Sequence, residues 1–169
     1  KVTMDFLPLT ASILVISDTR TLETDKSGSL IESMLKDAGH EVAERRVVAD
    51  EKEAIAEATR EESGRGGVRV VILTGGTGVT RRDVTPEAIE PLLDKALPGF
   101  GEMFRWLSWE EIGASTLQSR ALAGVMEGNL IFCLPGSTGA CRLGMEKLIL
   151  PQIDNRTRPC SFGTLLDRL

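Results

Sequence analysis

Two short apolar runs, Ser12-Ile13-Leu14-Val15-Ile16 and Val70-Val71-Ile72-Leu73, constrain this chain more than any other feature. A strand with one wet face alternates apolar and polar residues, whereas a run that is apolar at successive positions must be covered on both faces. Central strands of a parallel sheet meet that condition. Between the two runs lie a polar loop, Ser17 to Asp25, and a helical pattern of Leu30, Ile31, Met34, Leu35 and Ala38 with Gly39 as its C-terminal cap. A strand follows from Val42 to Val48, then a helix through Ala54, Ile55 and Ala58 that Gly64, Gly66 and Gly67 break. The resulting β-α-β-α-β order predicts an α/β fold with a parallel sheet and right-handed crossovers.

At 169 residues, 41% of them hydrophobic, the chain suits one domain spanning 1–169 with a real core. Twenty basic and twenty-five acidic residues give a net charge of −5 with no basic block, so the footprint of a nucleic-acid binder is missing and none is expected as a partner. Cys133, Cys141 and Cys160 are odd in number and lack C-x-x-C spacing, which argues against a disulfide framework or a zinc site and for reduced, packed thiols. No run approaches the ~20 apolar residues of a membrane span, and Lys1 to Thr10 lacks the apolar core of a signal peptide. A cytoplasmic protein is expected.

The second run leads into Thr74-Gly75-Gly76-Thr77-Gly78 and then Thr85-Pro86-Glu87. The glycines let backbone amides approach a ligand closely, and the threonine, proline and acid read as an N-cap and first helical turn. Phosphate would meet free amides there. Arg81 stands where a dinucleotide fingerprint would place its third glycine, and no Gly-Lys-Ser/Thr follows, so neither common nucleotide motif is present. The loops after the first three strands carry Asp18 and Asp25, Asp50, and Asp83, all on the carboxyl edge of an open parallel sheet. Oxygen ligands of this kind suit Mg²⁺ with a phosphate substrate.

Each acid has a second reading. Asp50, with Glu53 three residues on, either caps the next helix or faces the ligand. Asp83 pairs with Arg81 or Arg82, or joins the site. His40 reads as a solvated loop residue, and with a single histidine a serine triad through Ser17 is not expected.

Pro91 predicts a kink or early stop after Pro86. The segment from Pro98 to Trp109 puts Phe100, Met103, Phe104 and Leu107 on one helical face and Trp106 and Trp109 on another, for burial in the core or in a subunit interface. Glu127-Gly128-Asn129 separates two apolar runs as a hairpin turn would, Pro135-Gly136-Ser137 turns the chain, and Leu143 to Gln152 marks a last helix. Asp154 to Leu169 has no clear period and reads as a tail over the surface or a neighbouring subunit.

Thr74-Gly75-Gly76-Thr77-Gly78 with Arg82-Asp83-Val84-Thr85-Pro86-Glu87-Ala88 resembles the molybdopterin-binding family of molybdenum cofactor biosynthesis, the B-protein and molybdopterin adenylyltransferase group related to the gephyrin G domain. Pro98-Gly99-Phe100-Gly101-Glu102, Ile112 to Ala121, Leu134 to Ser137 and Arg156 to Cys160 extend the resemblance over nearly the whole length, and Phe100 to Arg120 is similar to the B branch in particular. The resemblance implies a three-layer α-β-α fold around a mostly parallel sheet, and Mg²⁺-dependent transfer of AMP from ATP to molybdopterin. It implies catalytic and metal-holding roles for Asp50 and Asp83, and a pterin-side role for Ser119 and Arg120. Gly75, Gly76, Thr77 and Gly78 would cradle the nucleotide, with Ser17 among the ligand-binding residues and Pro135-Gly136-Ser137 closing the site. It further implies a homotrimer or a hexamer of paired trimers, and the molybdate-inserting protein of the pathway as a partner. Ser137-Thr138-Gly139 departs from the Asn/Ser-Pro that the adenylyltransferase branch carries after Pro-Gly. A non-catalytic pterin-binding or scaffold protein is the competing reading, and a nucleotide-dependent regulator a third.

Overall fold

A computed structural model describes residues 4–169; the first three residues of the Lys1–Thr10 segment lie outside the described residues. Six strands form one sheet: β1 (Thr10–Ile16), β2 (Glu41–Val48), β3 (Val68–Thr74), β4 (Lys95–Ala96), β5 (Leu122–Met126) and β6 (Asn129–Leu134), in the order β2-β1-β3-β6-β5-β4. β1 runs parallel to β2 and β3, and β3 to β6; β5 is antiparallel to β6 and β4. The predicted α/β alternation is therefore present, with the helices α1 (Ser27–Asp37) and α2 (Lys52–Ser63) as the crossovers.

The apolar runs are buried on both faces, as their composition requires. Ile13, Val15, Val70, Ile72, Leu130 and Phe132 pack with Ile31 and Leu35 of α1, Phe104 of α4 (Pro98–Ile112), and Cys141 of α5 (Thr138–Gly144). The intervening Leu14, Ile16, Val71, Leu73, Ile131 and Cys133 pack with Ile55 and Ala58 of α2 and Ala88 and Ile89 of α3 (Thr85–Ile89). Period-two alternation along each strand thus feeds two cores and makes three layers.

Helix boundaries follow local chemistry. Gly39, at φ +90°, ends α1 with its N–H on Lys36 O, and the next N–H, of His40, reaches Leu35 O. α3 stops before Pro91, giving way to a 3₁₀ turn at Glu90–Leu92. Glu127 and Gly128 both have positive φ, the signature of a two-residue type I′ hairpin between β5 and β6. α5 continues through a π turn (Met145–Ile149) into α6 (Leu150–Ile153), whose second residue, Pro151, has no N–H to give.

Several expectations need correction. His40 is buried: its Nδ1 accepts from Leu9 N at 3.1 Å, and the Phe6 ring lies 5.1 Å from its own. Trp106 and Trp109 are 63% and 55% exposed, so the core reading of the tryptophans is wrong, and Met103 at 45% is also largely outside. Cys160 is exposed, whereas Cys133 and Cys141 are packed. The stretch from Asp154 lies partly over its own chain, where Leu166 is buried and Arg69 donates to Leu166 O at 2.6 Å.

Candidate active site

A basin of about 770 Å³ opens at the carboxyl ends of β1, β3 and β6. The connections part there, since the chain leaves β1 towards β2 on one side and returns to β3 on the other. Its walls are the end of β1 with Ser17, the glycine turn Gly75 to Gly78, and Pro135 to Thr138; Phe104, Ser108 and Ile112 of α4 and Ser119 complete it.

The glycine turn could not be built from other residues. Gly75 and Gly76 have φ of +106° and +67°. A Cβ on Gly75 would lie 2.4 Å from Ile16 O, and one on Gly76 would lie 2.3 Å from Thr85 Oγ1 and 3.2 Å from Asp50 Oδ1. Thr85 does not act as the expected N-cap. It is the first residue of α3, and its hydroxyl donates to Gly75 O at 2.9 Å while its N–H donates to Gly76 O at 3.0 Å, closing the turn.

Asp50 does not cap α2 either: Glu51 holds the cap position and no side chain bonds the first turn. Asp50 Oδ1 is instead buried beneath Gly76 without a hydrogen-bond partner. Burial, and then the neighbouring charges of Asp83 and Glu51, raise its pKa above the usual carboxylate value. Asp83 pairs with neither Arg81 nor Arg82. Its Oδ2 accepts from Thr80 N at 2.8 Å and Thr80 Oγ1 at 2.6 Å. Burial pushes Asp83 up, yet these bonds, the Gly78 amide and the Arg120 charge outweigh it and hold the group below its ordinary value. Two carboxyls of opposite inclination therefore stand under one glycine turn, which is how paired functional acids differ.

The other two loop acids serve the frame. The Asp25 side chain, 2% exposed, accepts from Gly28 N at 2.9 Å and Arg45 Nη1 at 2.8 Å. Asp18 accepts from Asp50 N at 2.9 Å and pairs with Arg82. Ser17 lines the basin and its Oγ accepts from Arg20 N at 3.1 Å. Ser137 caps α5 by accepting from Ala140 N at 3.2 Å, and Ser27 Oγ donates to Gly136 O at 2.7 Å, which pins the closing loop. Ser119 lines the basin, its Oγ accepting only a long bond of 3.4 Å from Ala121 N. Arg120, its neighbour, does not line the basin; its guanidinium engages Gly78 O, Asp83 O and Glu87.

Sequence reasoning missed Arg20 and Lys26, exposed cations on the basin wall that form no ion pair among the described residues. They sit on the loop and cap between β1 and α1, and only their place in the same loop as Ser17 could have flagged them. No cluster of three or more metal-ligating side chains exists among the described residues. Two carboxylates with phosphate oxygens are nevertheless the set that Mg²⁺ accepts, because it keeps several waters and takes few protein ligands.

Known proteins resemble this chain in sequence and in fold. The family described as "Probable molybdopterin binding domain" matches residues 12–155. The chain is 48% identical over 162 residues to molybdenum cofactor biosynthesis protein B of Escherichia coli K12, covering 96% of this chain and 95% of that one. It is 51% identical over 146 residues to the protein of the same name from Bacillus cereus, covering 86% of each. A crystal structure of a molybdenum cofactor biosynthesis protein B superposes with a TM-score of 0.85 at 49% identity, over 87% of this chain and 92% of the other. A tungsten cofactor synthesizing protein from Pyrococcus furiosus gives 0.76 at 40%, over 82% and 89%.

Proposed function

We infer function from one premise: the chain belongs to the molybdenum cofactor biosynthesis protein B family, within the molybdopterin-binding domains. It has a role in molybdenum cofactor biosynthesis. The reaction the basin supports best is adenylylation of molybdopterin by ATP. The terminal phosphate oxygen of molybdopterin attacks the α-phosphorus, the bond from that phosphorus to the bridging oxygen breaks, and pyrophosphate leaves with the electron pair. Such phosphoryl transfer needs positioning and charge stabilisation and no covalent nucleophile on the protein.

One observation carries this reading: a buried, unpartnered Asp50 oxygen and the hydrogen-bonded Asp83 carboxyl, both beneath one glycine turn. Asp50 and Asp83 would hold Mg²⁺, whose chemistry when bound is to neutralise charge on the transferring phosphate. Gly75, Gly76, Thr77 and Gly78 let the substrate phosphates approach the backbone. The hydroxyl of Ser119, which donates no bond in the structure, would hold the pterin substrate, and Ser17, Pro135, Gly136 and Ser137 line more of the wall. Arg20 and Lys26, also on the basin wall, would offset phosphate charge.

Incubation of the pure protein with molybdopterin, ATP and Mg²⁺ should give the AMP adduct and pyrophosphate, read by mass spectrometry. Asp83→Asn should abolish the adduct and leave the pterin bound. Pterin binding without any adduct in the wild type would replace the enzyme by the binding or scaffold protein.

Assembly as a homotrimer or a hexamer of paired trimers is supported by the exposed apolar face of α4, where Met103, Trp106, Trp109 and Ile112 lie outside the core. Light scattering of the wild type and of Trp109→Glu would test it; a monomer in both would remove the oligomer. No helix among the described residues is long and apolar enough to cross a membrane. We propose a cytoplasmic site of action and delivery to the molybdate-inserting protein.

A further inference from the structure

Arg120 stands at the entry to β5, yet three of the five bonds it donates reach the loop that carries Asp83. Its backbone N–H donates to Thr77 O at 2.9 Å, its Nε to Gly78 O at 2.7 Å, and Nη2 to Asp83 O at 2.8 Å. Both Nη atoms also reach the Glu87 carboxylate on α3. A guanidinium presents its donors in a rigid planar fork, so this set fixes three carbonyls of one irregular loop to one strand end. Glu87 keeps the fork turned towards the loop, and its own carboxyl is held below the usual value mainly by that bond. The loop needs such a hold, because residues 75–84 carry no helix or strand and Val79 at its tip is 63% exposed. Arg120 faces a second cavity on the far side of Ser119, together with Glu87, and not the substrate basin.

We propose that Arg120, locked by Glu87, is a positioning residue: the pair clamps the 77–84 loop so that the Asp83 carboxylate stands beside Asp50, and Arg120 makes no contact with the pterin. The inference rests on the reading of Asp50 and Asp83 as the Mg²⁺-holding pair. It assigns a role to Glu87, an exposed residue that would otherwise pass for a solvated helix charge.

Arg120→Lys keeps the charge and loses the fork, and Glu87→Gln loses the lock. For both variants and the wild type, three quantities are measured: Mn²⁺ binding by electron paramagnetic resonance with a non-hydrolysable ATP analogue, molybdopterin binding by fluorescence without metal, and hydrogen exchange of amides 77–84. The Mn²⁺ dissociation constant should rise about 10- to 100-fold, the range for groups that orient a metal ligand. Pterin binding should be unchanged, and only the loop amides should exchange faster. Lost pterin binding with wild-type Mn²⁺ binding and loop exchange would overturn the proposal. A wild type that binds no Mn²⁺ would remove the metal reading, and loop exchange would then decide the clamp: unchanged exchange overturns it, faster exchange sustains it. Should Arg120→Lys fail to fold, Glu87→Gln carries the same test at an exposed position.

Discussion

Asp83 makes its neighbour Asp50 reluctant to ionise: buried beneath Gly76, the Asp50 carboxyl is raised first by burial and then by the negative charge that Asp83 retains. Asp83 keeps that charge because Thr80 and Gly78 donate to it and Arg120 stands near. A cation beside Asp50 would favour its ionised form, whereas burial and the Asp83 charge alone disfavour it, at an electrostatic cost.

That cost predicts a stabilising variant. The folded Asp50 carboxyl binds its proton more tightly than the unfolded one, so stability falls as pH rises from the unfolded value, about 3.9, through the folded one. With EDTA present, Asp50→Asn should therefore be more stable than the wild type near pH 7.5, by on the order of 1 kcal/mol, and should make no AMP adduct. At pH 3 the two should denature together. A variant less stable than the wild type at pH 7.5 would show that Asp50 has a structural partner.

Asp25 lines the basin and should behave in the opposite way to Asp50. Its side chain, 2% exposed, joins Gly28 N to Arg45, and Arg45 Nε bonds Glu32 at 2.7 Å. Removing Asp25 strands the buried Gly28 amide and leaves Arg45 paired with Glu32 alone, so Asp25→Ala should lose about 1–3 kcal/mol in urea denaturation. A loss below about 0.5 kcal/mol, the level of an ordinary surface change, would count against the pair.

His40 predicts an acid limit to stability. Burial lowers its pKa, the Arg156 charge lowers it further, and Asp154 only partly opposes them. The neutral ring accepts from Leu9 N, so a folded value below the unfolded one means that stability is complete above about pH 6.5 and declines as pH falls below it. His40→Gln should flatten the wild-type decline in melting temperature between pH 7 and 5. It should also cost about 1 kcal/mol at pH 7.5 if the replacement leaves Leu9 N unbonded. An equal slope in both proteins would show that other groups set the limit.

These three acids and one histidine mark where sequence reading stops. Strands β1 and β3 were legible because burial on both faces leaves a continuous apolar run, and the hairpin because Glu127-Gly128 is a local turn signal. The glycine turn was legible for the same local reason. What separates Asp25 from Asp50 is Arg45, which reaches Asp25 from another strand and leaves Asp50 alone. His40 packs against Phe6 near one end of the chain and feels the charges of Asp154 and Arg156 near the other. Arg120 reaches back 42 residues to Gly78. Such pairings arise from tertiary placement, and no spacing in the chain encodes them.

Arg20 and Lys26 give the last prediction. Both line the basin, both are exposed, and neither has an acidic partner among the described residues, so the folded state gains little from their charge. The Arg20→Ala, Lys26→Ala double variant should match the wild type in stability to within about 0.5 kcal/mol. Its substrates, in contrast, carry several phosphate charges, and a hydrogen bond to a charged group is worth about 1.5–3 kcal/mol. Lost ground-state contacts should appear as a KM for ATP or molybdopterin raised about tenfold or more, with a smaller change in kcat. Salt should separate the causes, because a contact that is mainly coulombic weakens as ionic strength rises. The wild-type KM should climb between low and high salt, and the double variant should climb less. Unchanged KM values for both substrates would place the phosphates elsewhere in the basin and leave these two cations as solvated surface charge.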